Sequence, residues 1–233
     1  MFDRIAHRYD LVNRLMTGGQ DVKWRKRMGS HLPAGESLQL LDLATGTGDQ
    51  ALSLLETCPR IASSIGMDLS EEMLAHGREK IGEKGLSDRF TMVTGDAMQI
   101  PAEDQSADVI TISFGIRNVI DVSTSLRDML RVLRPGGRVI ILECSLPRNA
   151  IIRAGFLGYF RYVMPVLGGL ISGDRKAYRY LNRTVETFPY GEAFCQLLRE
   201  AGFENVGETP LTLGSVTIYQ GDRPKDGREL GHG

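Results

Sequence analysis

Short apolar runs alternate along the chain with segments whose apolar residues recur at helical spacing. The runs are Leu38 to Ala44, Ser63 to Asp68, Phe90 to Gly95, Ala107 to Ser113 and Arg138 to Glu143. The fourth is uniformly apolar or small, as a strand buried on both faces of a parallel sheet is expected to be. Behind the first run, Ala51, Leu52, Leu54 and Leu55 mark a helix. Behind the second, Ser70 is an N-cap with Glu71 and Glu72 in the first turn, and Met73, Leu74 and Ile81 face inward. Leu126, Met129, Leu130 and Leu133 mark another helix, stopped by Pro135, Gly136 and Gly137. Strands that alternate with helices in this way predict an α/β fold with a parallel sheet.

Three stretches depart from the alternation. Residues 1–35 precede the first strand and are helical in pattern. Ile5, Leu11, Leu15, Trp24 and Met28 form a candidate buried face, and Tyr9, Asp10, Asn13, Thr17, Gly18 and Gly19 are interleaved with basic residues. This segment reads as a helix pair packed on the sheet, as a lid over a pocket, or as both. Residues 147–190 are too long for an ordinary loop and predict helices inserted over the strand tips. Within them Ile151 to Ile171 is rich in apolar and aromatic side chains, broken by Arg153, Arg161 and Pro165. It reads either as core helix or as an apolar entrance that touches a membrane surface. After a helix marked by Phe194, Leu197, Leu198 and Ala201, the runs Val206 to Leu213 and Val216 to Gln220 read as a hairpin, which brings an antiparallel strand to the sheet and the count to seven. Residues 222–233 read as a frayed tail. The whole is expected to be a single domain over 1–233.

The chemistry gathers at the end of the first strand, where Asp42 is followed by Gly46, Thr47, Gly48 and Asp49. A strand that stops at Gly-x-Gly and restarts as a helix opens a nucleotide pocket. Gly46, Gly48 and Ala51 satisfy a dinucleotide fingerprint, with Asp68 following where a ribose-binding acid belongs. Against a dinucleotide stands Asp49, in the first helical turn, where pyrophosphate needs N–H groups and positive potential. A carboxylate there, with Asp42, suits a cationic ligand without phosphate, such as S-adenosylmethionine. A helix terminus merely stabilised by Asp49 is the plainer alternative.

Composition narrows the classes further. A chain of 233 residues, 42% hydrophobic and 24% charged, is globular, and its net charge of −1 leaves no electrostatic footprint for nucleic acid. Cys58, Cys144 and Cys195 lie far apart, without C-x-x-C or His at ligand spacing, so neither a disulfide framework nor a metal is expected. A reducing cytoplasm is the expected home. No signal-peptide pattern precedes the first charged residues, and no run of eighteen apolar residues lacks a charge.

The opening Phe2 to Ala6 with Tyr9, Asp10 and Asn13, the segment Ile112 to Val119 (ISFGIRNV), Arg131 to Gly137 (RVLRPGG), and Glu143 with Ser145 and Pro147 resemble the quinone-biosynthesis C-methyltransferases. The similarity continues through Ala177, Tyr178, Tyr180, Leu181, Phe188 and Pro189 to Thr212 and Gly214. RVLRPGG is specific only to the fold, whereas ISFGIRNV with the amino-terminal pattern is specific to the family. Thr45, where many members have glycine, and Cys144, where phenylalanine is common, are departures. The resemblance implies a Rossmann-like class I S-adenosylmethionine-dependent methyltransferase that methylates the ring of a polyprenyl quinol, demethylmenaquinol or a methoxybenzoquinol. It implies a lid at the amino terminus and no metal. Peripheral contact with a membrane and a homodimer are compatible with it. Other small lipophilic substrates, a nicotinamide-dependent oxidoreductase and a non-catalytic cofactor-binding module are the alternatives.

Asp68 at the second strand tip is expected to accept from both ribose hydroxyls. By resemblance, Asp96 and Ala97 contact adenine, Thr47 the methionine moiety, and Ser113 lies beneath the reacting methyl. Arg117 and Asn118 are the expected catalytic pair, with Arg117 stabilising a developing phenolate. The proton acceptor is open between a water held by that pair and Tyr9, Asp10 or His7. As an alternative, Arg117 is a structural tether to a neighbouring carboxylate.

Overall fold

In the computed structural model, which describes residues 10, 13–164, 166 and 184–225, the apolar runs pair side by side. Strands β1 (Leu38–Leu43), β2 (Ile61–Asp68), β3 (Phe90–Thr94), β4 (Ala107–Ser113), β5 (Leu133–Cys144), β6 (Glu204–Leu211) and β7 (Val216–Asp222) form one sheet in the order β3-β2-β1-β4-β5-β7-β6. The first five are parallel; β7 pairs antiparallel with both β5 and β6. The helices are α1 (Gln20–Met28), α2 (Asp49–Thr57), α3 (Glu71–Glu83), α4 (Val122–Val132), α5 (Ala150–Gly158) and α6 (Glu192–Glu200).

Successive strand residues point to opposite faces, and both faces are covered. On one side Leu41, Leu43, Ile110, Ile112, Val139 and Ile141 pack with Leu126 and Met129 of α4 and Phe194 and Leu198 of α6. On the other, Leu38, Leu40, Val109, Ile140 and Leu142 meet Trp24 and Met28 of α1, Leu52 and Leu54 of α2, and Leu74 and Ile81 of α3. Each such side chain contributes about 1.5–3 kcal/mol by leaving water, and the two covered faces hold the strands together. Ser70 caps α3 by accepting from the Met73 amide at 3.3 Å, as expected, and Asp121 caps α4 through Thr124 at 2.9 Å.

Several expectations are corrected. Strand β5 begins at Leu133, which pairs with Ala107 before the register shifts to Val109 and Arg138. Pro135 and the two glycines therefore sit in a strand irregularity, with Gly136 left-handed at φ 78°. Leu15 is 57% exposed and belongs to no buried face, whereas Trp24 and Met28 are buried as expected; Ile5 and Leu11 lie outside the described residues. Helix α1 is pinned at its middle, where Trp24 Nε1 donates to Thr212 Oγ1 at 2.7 Å, and the turn after it is held by Arg138, which donates to the His31 carbonyl at 2.9 Å. The core-helix reading of the insertion fails over its first part, since neither α5 nor the π-helical turn Tyr159–Val163 buries a residue. Its link to the amino-terminal segment is a hydrogen bond of 3.0 Å from the Tyr159 hydroxyl to the Met16 carbonyl. Fraying does not start at Asp222, which pairs with Arg138 at 2.6 Å, while the Arg223 guanidinium donates to the carbonyls of Leu130, Arg131 and Leu133. Residues 226–233 lie outside the description.

Candidate active site

Strands β1 and β4 are neighbours, yet the chain leaves β1 toward β2 and returns at β4. A crevice opens at their carboxyl ends, where an open α/β sheet takes its ligand. Its wall is formed by Asp42, Ala44, Thr45, Gly46, Thr47, Asp49, Gln50 and Ser113, closed from the amino-terminal side by Asp10 and Arg25. Three left-handed residues within five, Ala44 (φ 47°), Gly46 (φ 56°) and Gly48 (φ 82°), turn the backbone back on itself from β1 into α2. Gly48 is favoured by its left-handed backbone, and a Cβ there would also have to push aside the end of the Met92 side chain, 2.7 Å away.

Asp42 is buried at the tip of β1, beside its register partner Thr111 on β4. It accepts from Thr111 Oγ1 at 2.5 Å and from Thr45 Oγ1 at 2.6 Å. Burial pushes its carboxyl up to about 6, against the opposing pull of those two hydroxyls and of the Arg25 charge. Thr45, the departure from glycine, thus supplies one of the two hydroxyls that hold this acid.

Asp68, at the end of β2, accepts from the Gly46 amide at 2.8 Å and the Ser70 amide at 2.9 Å. One oxygen fixes the glycine turn and the other the start of α3. A carboxylate's four lone-pair directions leave acceptor capacity for a diol. Asp96, beyond β3, accepts from the Met98 amide at 2.8 Å, and the Ala97 carbonyl accepts from Ser125 Oγ at 2.8 Å. Both therefore sit in a braced turn. Ser113 Oγ, at the end of β4, donates to Gln50 Oε1 at 3.0 Å.

Asp49 does not stand as a bare negative charge, which corrects the argument that it would repel a pyrophosphate. Lys80 of α3 reaches it at 2.5 Å and Arg14 at 3.6 Å. Burial raises its carboxyl, but the Lys80 and Arg25 charges outweigh burial and hold it below the usual range. The same Lys80 ammonium donates to Asp10 at 2.8 Å and Thr47 Oγ1 at 2.9 Å, and Thr47 donates to Asp10 at 2.8 Å. Asp10, from the amino-terminal segment, is thereby tied to the glycine loop.

Arg117 lies on a 3-10 turn, Ile116–Asn118, beyond β4 and outside the pocket wall. Its Nη1 donates to Glu143 Oε1 at 2.5 Å and to the Phe114 carbonyl at 2.7 Å. Glu143, the next-to-last residue of β5, is fully buried, and the Arg117 side chain is 9% exposed. This is the tether geometry. Asn118 makes no side-chain hydrogen bond among the described residues and is partly exposed. Tyr9 and His7 lie outside them.

The structure thus brings Asp42, Gly46, Thr47 and Ser113 into one pocket, with Asp68 and Gly48 bracing its loop. Asp96, Ala97, Arg117 and Asn118 stand on neighbouring tips. Arg25, Gln50 and Lys80 were not singled out in the sequence. Arg25 is one of several bases on α1 with Lys23, Lys26 and Arg27, and only its position beside the buried Trp24 sets it apart.

A strand order of this kind, with a glycine turn and acids at consecutive strand tips, defines the class I S-adenosylmethionine-dependent methyltransferase fold. A putative S-adenosylmethionine-dependent methyltransferase from Methanococcus maripaludis superposes with a TM-score of 0.70 at 20% identity, covering 99% of this chain and 97% of its own. At that identity the likeness concerns the fold. The family profile described as the ubiE/COQ5 methyltransferase family matches residues 1–223, and the chain belongs to that family. Among its relatives, a demethylmenaquinone methyltransferase from Thermus thermophilus is 44% identical, over 96% of this chain and all of its own length. A ubiquinone/menaquinone biosynthesis C-methyltransferase from Geobacter sulfurreducens is 43% identical, over 96% of this chain and 87% of its own.

Proposed function

We propose that this chain transfers the methyl group of S-adenosylmethionine to a ring carbon of a polyprenyl quinol, with demethylmenaquinol as the foremost substrate. The observation that carries this reading is membership of the family over residues 1–223, with relatives named for that reaction. The pocket supports it. An acidic crevice at the β1 and β4 tips suits a ligand carrying an ammonium and a sulfonium, and the amide-braced Asp68 suits its ribose. When bound, S-adenosylmethionine supplies an electrophilic methyl group.

The residues of this chain have three tasks. Asp42, held by Thr45 and Thr111, attracts the positive end of the ligand. Asp68, Asp96 and Ala97 hold the nucleoside at the next two strand tips. The loop after β4 receives the quinol, whose ring hydroxyl gives up its proton so that the phenolate pushes electrons to the neighbouring carbon. That carbon forms the new C–C bond as the methyl–sulfur bond breaks, and loss of the ring proton restores aromaticity. Arg117, tied to Glu143, enters this reading as a positioning residue that fixes the loop, and Asn118 as its substrate-facing neighbour. Tyr9 remains, with Asp10 and His7, a candidate acceptor of the hydroxyl proton.

A polyprenyl substrate resides in a bilayer, and we extend the proposal to peripheral contact with one. Leu69, Ile120 (91% exposed) and Leu213 flank strand ends on the pocket edge of the sheet. Ile151 (84% exposed), Tyr162, Val163 and Val166 belong to the insertion that leaves the same edge. No helix among the described residues is long and apolar enough to cross a membrane. Expression in strains lacking either the naphthoquinol or the benzoquinol methylation tests the function. Rescue of the naphthoquinol strain is expected, and failure to rescue either strain with protein present would overturn the proposal.

A further inference from the structure

Among the described residues that wall the pocket, Arg25 is the one cation, facing Asp10, Asp42 and Asp49. It forms no ion pair with any of them, nor with any other described carboxylate. Its Nε is buried and has no hydrogen-bond partner among the described residues. What the guanidinium does meet is the face of Phe114, at 5.8 Å from the ring centroid. The ring and the pinned Trp24, whose own centroid lies 6.1 Å from Phe114, fix where the guanidinium stands.

Arg25 is half-buried, and although its charge acts on Asp42 and Asp49 at a distance, its buried Nε donates to no carboxylate, so a ligand's anionic group can take up its donors. Two of the facing acids share one lysine: Lys80 binds Asp10 at 2.8 Å and Asp49 at 2.5 Å. Asp42 accepts from two hydroxyls, Thr45 of the turn after β1 and Thr111 of β4. Three carboxylates thus face Lys80 and Arg25, and Arg25 is paired with none of them, so the pocket suits a ligand with a cationic and an anionic group close together, as at the α-carbon of an amino acid. We propose that Arg25 binds the α-carboxylate of the methionine moiety of S-adenosylmethionine, while the acids of the glycine turn take its ammonium and sulfonium. This assignment rests on the function proposed above and adds to it a binding residue on α1, so that docking of α1 on the sheet and loading of the pocket are coupled. A guanidinium meets a carboxylate with two parallel N–H donors, which an ammonium does not reproduce.

The test is calorimetry with two ligands, S-adenosylmethionine and its decarboxylated analogue, on the full chain and on Arg25→Gln and Arg25→Lys. The full chain should bind the decarboxylated analogue about 30-fold more weakly, the scale of one charge-assisted pair. Arg25→Gln should lose about the same factor for S-adenosylmethionine and almost nothing for the analogue, and Arg25→Lys should recover part of the loss. Equal losses for both ligands in Arg25→Gln would mean that the side chain shapes the pocket rather than meeting the carboxylate, and would overturn the assignment. Unchanged S-adenosylmethionine affinity would overturn it too. If the unaltered chain bound neither ligand, the proposed function itself would fall, and the assignment with it. Melting temperatures of the three proteins separate unfolding from lost contact.

Discussion

Replacing Arg117 by glutamine removes the only charged partner that the described structure gives Glu143. The carboxylate is fully buried, and its remaining donors are the Cys144 amide at 2.8 Å and the Arg117 amide at 3.5 Å. Two backbone N–H groups do not compensate an ionised carboxylate out of water, and truncating one partner of a buried pair costs about 3–5 kcal/mol. For a chain of this size about 2–4 °C accompanies each kcal/mol, so the melting temperature should fall by about 6–20 °C. Arg117 also ties its own loop through the Phe114 carbonyl at 2.7 Å, so methyl transfer should fall with stability. Adding Glu143→Gln should restore much of the stability, because no buried charge is then left alone. The assay is urea and thermal unfolding of Arg117→Gln, Glu143→Gln and the double variant, with kcat and cofactor affinity on the same preparations. A melting temperature and cofactor affinity unchanged in Arg117→Gln, with kcat about 100-fold lower, would refute the tether and return Arg117 to a role on transition-state charge.

Four further outcomes are expected. Asp42 has a folded-state carboxyl raised above its unfolded value, so the folded state binds the extra proton. Its contribution therefore turns unfavourable as pH rises from about 4 to about 6, to at most about 3 kcal/mol; Asp42→Asn should flatten that part of a stability profile measured against pH. Because a cationic ligand favours the ionised acid, S-adenosylmethionine affinity should rise with pH across the same window and lose this dependence in Asp42→Asn; an identical profile in the variant would contradict it. Asp68→Ala should weaken the cofactor by about 10-fold or more and loosen the glycine turn as well, since the Gly46 and Ser70 amides lose their acceptor; calorimetry with a melting control reads both. Ile151→Asp with Tyr162→Asp should reduce co-sedimentation with liposomes while leaving activity on a short-chain, water-soluble quinol intact; equal sedimentation would remove this surface from the membrane contact.

The sheet was legible because burial on two faces writes itself into sequence. The β4 run has one answer, and the glycine turn after β1 is set by conformations that few other residues adopt. Strand ends were less legible: nothing local marks the register shift that lets β5 start at Leu133. The site was readable where it depends on strand tips, as with Asp42 and Asp68, and unreadable where it depends on long side chains crossing between elements. Lys80 reaches Asp49 from 31 residues away, and Arg117 finds Glu143 across 26. Arg117 stood out by family pattern, but its partner is set by the adjacency of β4 and β5, which a motif does not contain. Asp49 was misjudged for the same reason, its neutralising lysine being distant in the chain.

Methyl transfer to a quinol carbon is read by incubating the purified chain with methyl-labelled S-adenosylmethionine and a short-chain demethylnaphthoquinol, with and without reductant, and identifying the extracted product. Label is expected on a ring carbon, dependent on reductant, because only the reduced ring has a hydroxyl that can ionise and activate that carbon. Label on oxygen, equal rates with the oxidised quinone, or cofactor binding without transfer to any quinol would contradict it.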